Sequence, residues 1–186
     1  MAVVLALVLG ALTWTLMEYG IHRWLGHGPL AKRNPFGSEH IAHHSKGNHF
    51  APTWTKAAAA VVVGALLLGP AVLVAGWSYG PSFVVGFVVF YLYYEALHRL
   101  EHVHPGIGAY GRWARAHHFY HHFHDPSMNH GVTSPIWDIV FGTYVRPEVI
   151  RVPEKLKMDW LCDPATGDVR PELAGVYALR RRRAAS

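Results

Sequence analysis

The sequence predicts an all-α integral membrane protein, with about three transmembrane helices and a cytoplasmic helical cap holding a histidine-rich dimetal site. Three observations predict it. The apolar residues are gathered into long segments, the cations lie to one side of those segments, and the histidines cluster at the segment ends.

Hydrophobic residues make up 51% of the 186-residue chain, yet mean hydropathy is only +0.12, so apolar residues are concentrated rather than spread. Residues 2–17 carry no charge and continue as Glu18-Tyr19-Gly20-Ile21; residues 57–76 carry none; residues 81–94 form a third segment, reaching Leu97 if Glu95 is tolerated. A bilayer core needs about 20 residues of helix. The second segment meets this directly, the first and third if their helices run on into the histidine-bearing ends. Residues 76–81, with Trp77 and Tyr79 between turn-forming residues, read as an interfacial hairpin tip.

All 17 Lys and Arg lie between Arg23 and Lys56 or from Arg99 onward. The positive-inside rule then puts the N-terminus and the 76–81 tip outside, and the 22–56 loop and C-terminal part in the cytoplasm. Three spans satisfy this alternation; two or four do not unless a membrane-dipping helix is added. The expected compartment is a bacterial inner membrane in preference to the endoplasmic reticulum. Of the net charge of +5, the arginines at 180–183 suit anionic headgroups, and no nucleic-acid partner is expected. The first segment has no positive n-region or clear cleavage site, so it reads as a retained span. The single cysteine, Cys162, excludes an intrachain disulfide and any Cys-based metal site.

Ten of the 15 histidines fall into four clusters: His22-x4-His27, His40-x2-His43-His44, His98-x3-His102 and His118-x2-His121-His122. Neutral imidazole is the commonest metal ligand, and i, i+3, i+4 spacing sets ligands on one helix face. Gly28-Pro29 and Asn34-Pro35 stop the first helix. Ser38 is expected to cap a short helix carrying His40, His43 and His44, which Gly47-Asn48 ends. Residues 110–124 read as a helix with His118, His121 and His122 on one side; residues 137–145 read as a short amphipathic helix, and the rest as irregular. Glu18-x3-His22-Arg23-x3-His27 is echoed by Glu95-x2-His98-Arg99-x2-His102, and each is followed by His-x2-His-His, which suggests a repeat.

Ten imidazoles exceed what one ion takes and give two ions about five nitrogens each. Imidazole suits iron, zinc and copper alike, whereas the lack of thiolates excludes an iron–sulfur cluster. Ligands at headgroup depth suit oxidation of an unactivated C–H bond in a lipid. From other classes, a metal transporter would need polar ligands inside the spans, which residues 57–76 lack. A non-catalytic metal-binding membrane protein stays open.

The run Glu18-Tyr19-Gly20-Ile21-His22-Arg23-Trp24-Leu25-Gly26-His27-Gly28-Pro29-Leu30 resembles the opening motif of the fatty acid hydroxylase / sterol desaturase superfamily. It is most similar to the fatty acid 2-hydroxylase branch. Ala116-His117-His118-Phe119-Tyr120-His121-His122-Phe123 resembles that branch's last histidine box, and Gly131-Val132-Thr133-Ser134 through Trp137-Asp138 to Phe141-Gly142-Thr143 its downstream signature. The resemblance covers roughly residues 14–145. It implies an O2-dependent di-iron enzyme, a monooxygenase type of oxidoreductase, that hydroxylates a membrane lipid. A carotenoid or sterol hydroxylase or desaturase of the same superfamily is the alternative. The implied metal ligands are His22, His27, His40, His43, His44, His98, His102, His118, His121 and His122, with zinc able to replace iron in purified protein. The implied domain occupies residues 1–147, followed by a basic, mostly irregular tail at 148–186.

Three departures accompany the resemblance. No cytochrome b5 domain is present, so electrons are expected from a separate ferredoxin or cytochrome b5-type protein. The stretch between the second and third spans is shorter, and Glu95 and His130 replace other residues. Glu18, Glu95, Glu101, His124 and His130 are expected to act behind the ligands, the glutamates by hydrogen-bonding ligand histidines or Arg23 and Arg99. His49, His104 and His117 are expected to be supporting or interfacial. The run from Phe90 to Tyr94 reads as an interfacial aromatic belt with one face free to line a groove.

Overall fold

A computed structural model describes residues 1–106 and 108–181; Arg182 and Arg183 of the expected headgroup-binding run lie outside the described residues. Five helices account for most of it: α1 (Ala2–Gly20), α2 (Pro35–Lys46), α3 (Thr53–Val103), α4 (Gly108–Phe123) and α5 (Ile136–Val140). α1 runs on as a π-helical turn, Ile21–Gly26. Two short parallel strands follow, β1 (Ile150–Pro153) and β2 (Tyr177–Arg180), with Ile150 paired to Tyr177.

α3 is two helical arms folded against each other. Its one non-helical residue is Gly76, at φ 69° and ψ 172°, a backbone state open to glycine and strained for any other residue. The expected connector at 76–81 therefore shrinks to a single residue, and Trp77 to Pro81 already belong to the second arm. Lys56 pairs with Glu95 and the Tyr91 hydroxyl donates to the Lys56 carbonyl at 3.1 Å, which fixes the arms as antiparallel. Two helices, Ala2–Gly26 and Thr53–Val103, are long and apolar enough to cross a membrane; the Gly76 fold divides the second into two arms.

The outward faces of these helices carry Leu5, Leu9, Leu12, Val61, Leu66, Leu73 and Val74, all exposed. With apolar side chains outside, α1 cannot be held to α3 by the hydrophobic effect in lipid; close packing must do it. Gly10 and Gly86 supply it. A Cβ on Gly10 would lie 2.0 Å from the Phe83 carbonyl oxygen, and one on Gly86 would lie 2.1 Å from that of Leu7. Trp14 then sets its ring edge-on to Phe87 at 5.4 Å and Tyr91 at 4.8 Å.

Several local expectations are corrected. α2 begins at Pro35, not after Ser38: the Asn34 side chain accepts from Gly37 N–H at 2.8 Å, and proline suits the first helical turn because it has no N–H to leave unpaired. The helix expected over 137–145 is only Ile136–Val140, because Gly142 adopts φ 69°. Among the described residues the tail has only two short strands and two 3-10 turns and is otherwise irregular, as expected, but it packs closely over α4. Ile150, Val152, Met158, Leu161, Cys162 and Tyr177 form one core with Phe119 and Phe123. Arg115 is buried in this layer, its Nε donating to the Tyr177 hydroxyl at 2.9 Å and its Nη1 to the His104 carbonyl at 2.7 Å.

Overpacking typically costs about 1–3 kcal/mol. Gly86→Leu should lower the melting temperature in detergent by several degrees. Gly69→Ala, at a position with nothing within 4 Å, should leave it unchanged.

Candidate metal centre

All ten clustered histidines converge, and they divide evenly. One ring nitrogen from each of His22, His27, His40, His44 and His121 lies within 4.8 Å of the others, and the same holds for His43, His98, His102, His118 and His122. The first set is called site A and the second site B. Across their boundary His44 and His122 stack in parallel, centroids 3.9 Å apart.

Helix geometry explains the division. In His-x2-His-His, residues i and i+4 sit nearly in line, whereas i+3 is turned about 60° to the other side at 100° per residue. α2 accordingly sends His40 and His44 to site A and His43 to site B. α4 sends His118 and His122 to site B and His121 to site A. Each helix is a wedge between the sites, and the two sets exchange their middle histidine.

The paired motifs differ by one residue, and backbone form absorbs the difference. His98 and His102 are i, i+4 on regular α-helix. His22 and His27 are i, i+5, a spacing that an α-helix would splay apart. The π-helical turn at Ile21–Gly26, whose bonds run i to i+5, brings His27 beside His22, the rings tilted at 41° with centroids 5.3 Å apart. The expectation that i, i+3, i+4 spacing aligns every cluster is corrected here: the first cluster is aligned only by this turn.

Backbone carbonyls orient the rings. His22 Nδ1 meets the His130 carbonyl at 2.5 Å, His43 Nδ1 the His49 carbonyl at 2.7 Å, and His121 Nδ1 the Met128 carbonyl at 2.7 Å. A carbonyl can only accept, so Nδ1 carries the proton and the Nε2 lone pair is left to bind an ion. Nε2 atoms meet each other at 2.8 Å for His27–His40 and His27–His121, and at 2.9–3.0 Å for His43–His98 and His102–His118. Ligands at about 2.1 Å from one ion, set at right angles, are about 3 Å apart. Both nitrogens of His122 and Nε2 of His22 are buried with no partner, a state that costs free energy unless something binds there. Burial pushes His27 and His43 down to about 4 and His44 to about 2, and holds His40, His118, His121 and His122 well below the usual histidine range. Neutral imidazoles with inward lone pairs suit transition-metal ions.

The residues expected behind the ligands behave differently from one another. His130 supports His22 through its carbonyl, while its Nε2 lies 3.1 Å from the Ser127 carbonyl. Glu101 is buried 3.9 Å from His118 Nε2, and neither of its oxygens has a hydrogen-bond donor. Glu18 hydrogen-bonds neither a ligand histidine nor Arg23; its carboxylate accepts from Val132 N–H, Thr133 N–H and the Thr133 hydroxyl at 2.6–3.0 Å. Arg23 instead donates to the Tyr19 hydroxyl, and Arg99 lies over the Phe50 ring. Glu95 pairs with Lys56. His124 is turned away, accepting from Arg151 N–H at 2.8 Å. His49 Nε2 pairs with Glu39, and the His104 carbonyl takes up Arg115.

The support that sequence reasoning missed is the loop after α4. Asp138, fully buried, accepts from His130 N–H, Gly131 N–H and the Thr143 hydroxyl, each at 2.8 Å, and faces His117 Nε2 at 3.2 Å. Asn129, at φ 56°, bridges to Val145 through both side-chain atoms. The available signal was a lone carboxylate within an otherwise uncharged stretch, 131–145. Beside site B lies a cavity of about 460 Å³ edged by His40, His43 and His98; Phe36, Tyr91 and Tyr94 line both it and a second, mostly apolar pocket of about 210 Å³ that also meets Trp14, Ala60, Val63 and Phe87. Asp138→Ala would strand buried donors at about 1–3 kcal/mol each. A melting-temperature drop of several degrees is expected, larger than for Asp138→Asn, which keeps one acceptor.

Comparison with known proteins agrees with this geometry. The fatty acid hydroxylase family model matches residues 7–143. The chain is 31% identical over 152 residues to the dihydroceramide fatty acyl 2-hydroxylase FAH2 of Arabidopsis thaliana, covering 75% of this chain and 60% of that protein. Identity is 29% to the ceramide very long chain fatty acid hydroxylase of Saccharomyces cerevisiae, covering 75% and 38%, and 30% to the fatty acid 2-hydroxylase of Rattus norvegicus, covering 76% and 40%. The chain thus spans less than two thirds of the length of these relatives. The solved structure of full-length scs7p, in which only the hydroxylase domain is visible, superposes with a TM-score of 0.56 at 26% identity, over 77% of this chain and 57% of that one. With two five-histidine clusters at the ends of long apolar helices and a family match across most of its length, this membrane protein belongs to the fatty acid hydroxylase family.

Proposed function

We propose that the chain is an O2-dependent di-iron oxygenase that hydroxylates a fatty-acyl chain of a membrane lipid. The observation that carries this reading is the pairing of two five-imidazole sites with a cavity edged by His40, His43 and His98 and, sharing part of its wall, a mostly apolar pocket. The residues fit such a metal: inward lone pairs, neutral rings and nitrogens without partners suit iron, as they would zinc or copper. Sites A and B would hold one iron each, and these supply the O2 reduction and C–H oxidation that no side chain performs. The overall balance is R–H + O2 + 2 electrons + 2 protons → R–OH + H2O, the electrons coming from a separate ferredoxin or cytochrome b5-type protein.

The chain's own residues bind and orient. Tyr94 stacks on His98 at 5.8 Å and, with Phe36 and Tyr91, stands in the wall that the cavity shares with the deeper pocket. An acyl chain lying along Trp14, Val63 and Phe87 would exchange one apolar environment for another, while its functionalised end stays at the histidines. The match to relatives named as acyl 2-hydroxylases favours attack near that end over a sterol or carotenoid substrate. Burial of the imidazoles keeps water away and holds them unprotonated at neutral pH. The N-terminus and the Gly76 fold would face away from the cytoplasm, with the metal sites at the cytoplasmic ends of three spans.

Anaerobically purified protein should contain two irons per chain and oxidise lipid only with O2 and a reductant. His121→Ala should lower turnover by more than about 100-fold, since loss even of a supporting residue costs 10- to 100-fold in such sites. A single zinc, with unchanged lipid oxidation in His121→Ala, would overturn the reading. Ala60→Phe, at a buried position of the deeper pocket, should shift hydroxylated products toward shorter chains, as read by lipid mass spectrometry.

A further inference from the structure

Residues 131–145 contain one charged side chain, Asp138, and it is fully buried. The surface of this segment is apolar: Ile136, Ile139, Val140 and Phe141 are 47%, 60%, 62% and 44% exposed. Its position along α1 is fixed by two contacts. Trp137 Nε1–H donates to the Thr15 hydroxyl at 2.9 Å, and Phe141 stacks on Tyr19 with centroids 5.2 Å apart and planes at 15°.

Those contacts set a depth. Thr15 precedes Arg23, the first cation of the chain, by a little over two helical turns, about 12 Å at 1.5 Å per residue. At the level of Thr15, α1 exposes Leu12 and Leu16, part of the apolar face it presents to lipid. α5 is therefore held beside a membrane helix on the membrane side of its terminal cation, and its apolar surface continues that of α1.

The backbone is prepared for such a place. Irregular chain survives at membrane depth only where its polar groups are satisfied internally. Ile139 N–H bonds to Pro135 O, Phe141 N–H to Trp137 O, Gly142 N–H to Ile139 O and Thr143 N–H to Asp138 O. Ile136 N–H bonds to the Ser134 hydroxyl, and the Asp138 carboxylate takes His130 N–H and Gly131 N–H. We propose that residues 134–142 form a monotopic wedge seated among the acyl chains of the leaflet beside the metal sites, with Ile136, Ile139, Val140 and Phe141 in contact with lipid tails. The partner is the lipid itself. Because the same loop carries the Met128 and His130 carbonyls that orient His121 and His22, the wedge fixes the depth of site A relative to the acyl chains.

This inference rests on the chain being a membrane protein and not on the metal or the reaction, so the test reads depth alone. The full chain is reconstituted in phosphatidylcholine–phosphatidylglycerol liposomes with a nitroxide at Ile139→Cys or, separately, Val140→Cys. The unmutated chain, whose Cys162 is buried, serves as the labelling control. Leu16→Cys gives the lipid reference and Lys155→Cys the water reference. The ratio of collisions with O2 to collisions with a water-soluble nickel chelate should match Leu16 at both α5 positions and exceed Lys155 severalfold. A ratio like that of Lys155 at both positions overturns the proposal. So does spin–spin broadening that disappears on dilution with unlabelled chain, since a second copy of the protein would then cover α5.

Discussion

Ten buried or half-buried imidazoles are gathered into one space, and most of the remaining structure answers to that packing constraint. A ring nitrogen aimed at an ion needs the opposite nitrogen held in a fixed tautomer. Here backbone carbonyls do this: His130 for His22, His49 for His43 and Met128 for His121. Those carbonyls come from loops, so the loops must be as rigid as the helices. The buried Asp138, Asn129 and Thr143 supply that rigidity, each pairing with backbone or side-chain partners that would otherwise stand alone.

One face of α1 is the spine of this arrangement. Thr15, Glu18, Tyr19 and His22, spaced three and four apart, bond in turn to Trp137, to Val132 and Thr133, to Thr143, and to the His130 carbonyl. A neighbouring face meets α3, where Gly10 lies against Phe83 and Leu7 against Gly86 of α3. A single helix thus ties the lipid-facing hairpin to the loop that orients site A. The two sites are supported unequally. Site A is oriented by the 128–133 loop, whereas site B has Glu101 beside His118, and the Trp160 indole donating to the His102 carbonyl at 2.8 Å.

Much of this was legible in the chain. Apolar segments bounded by cations predicted long membrane-type helices, and clustered histidines predicted that their rings would be gathered together, because both are local properties of composition and spacing. The position of the α2 cap was not, since Asn34 and Ser38 are both competent caps and only Pro35 at the first helical position favours the earlier start. The roles of Glu18 and Glu95 were not legible either. Carboxylates near ligand helices suggested hydrogen bonds to histidine or arginine, yet Glu18 closes a distant loop and Glu95 pairs with Lys56 across the hairpin. Their partners are far away in sequence, and no spacing rule reaches that far.

By itself the sequence determined which segments are apolar, on which side the cations stand, and that ten histidines occur in four clusters of ligand-like spacing. Those facts follow from helix periodicity and the cost of placing charge in lipid. Only the tertiary structure decided that the ten rings divide five and five, that each His-x2-His-His motif gives its middle residue to the other site, and that a π-helical turn repairs the i, i+5 spacing of His22 and His27. Such choices depend on which side chains meet across helices. That is settled by packing the whole chain at once, with every buried polar group seeking a partner.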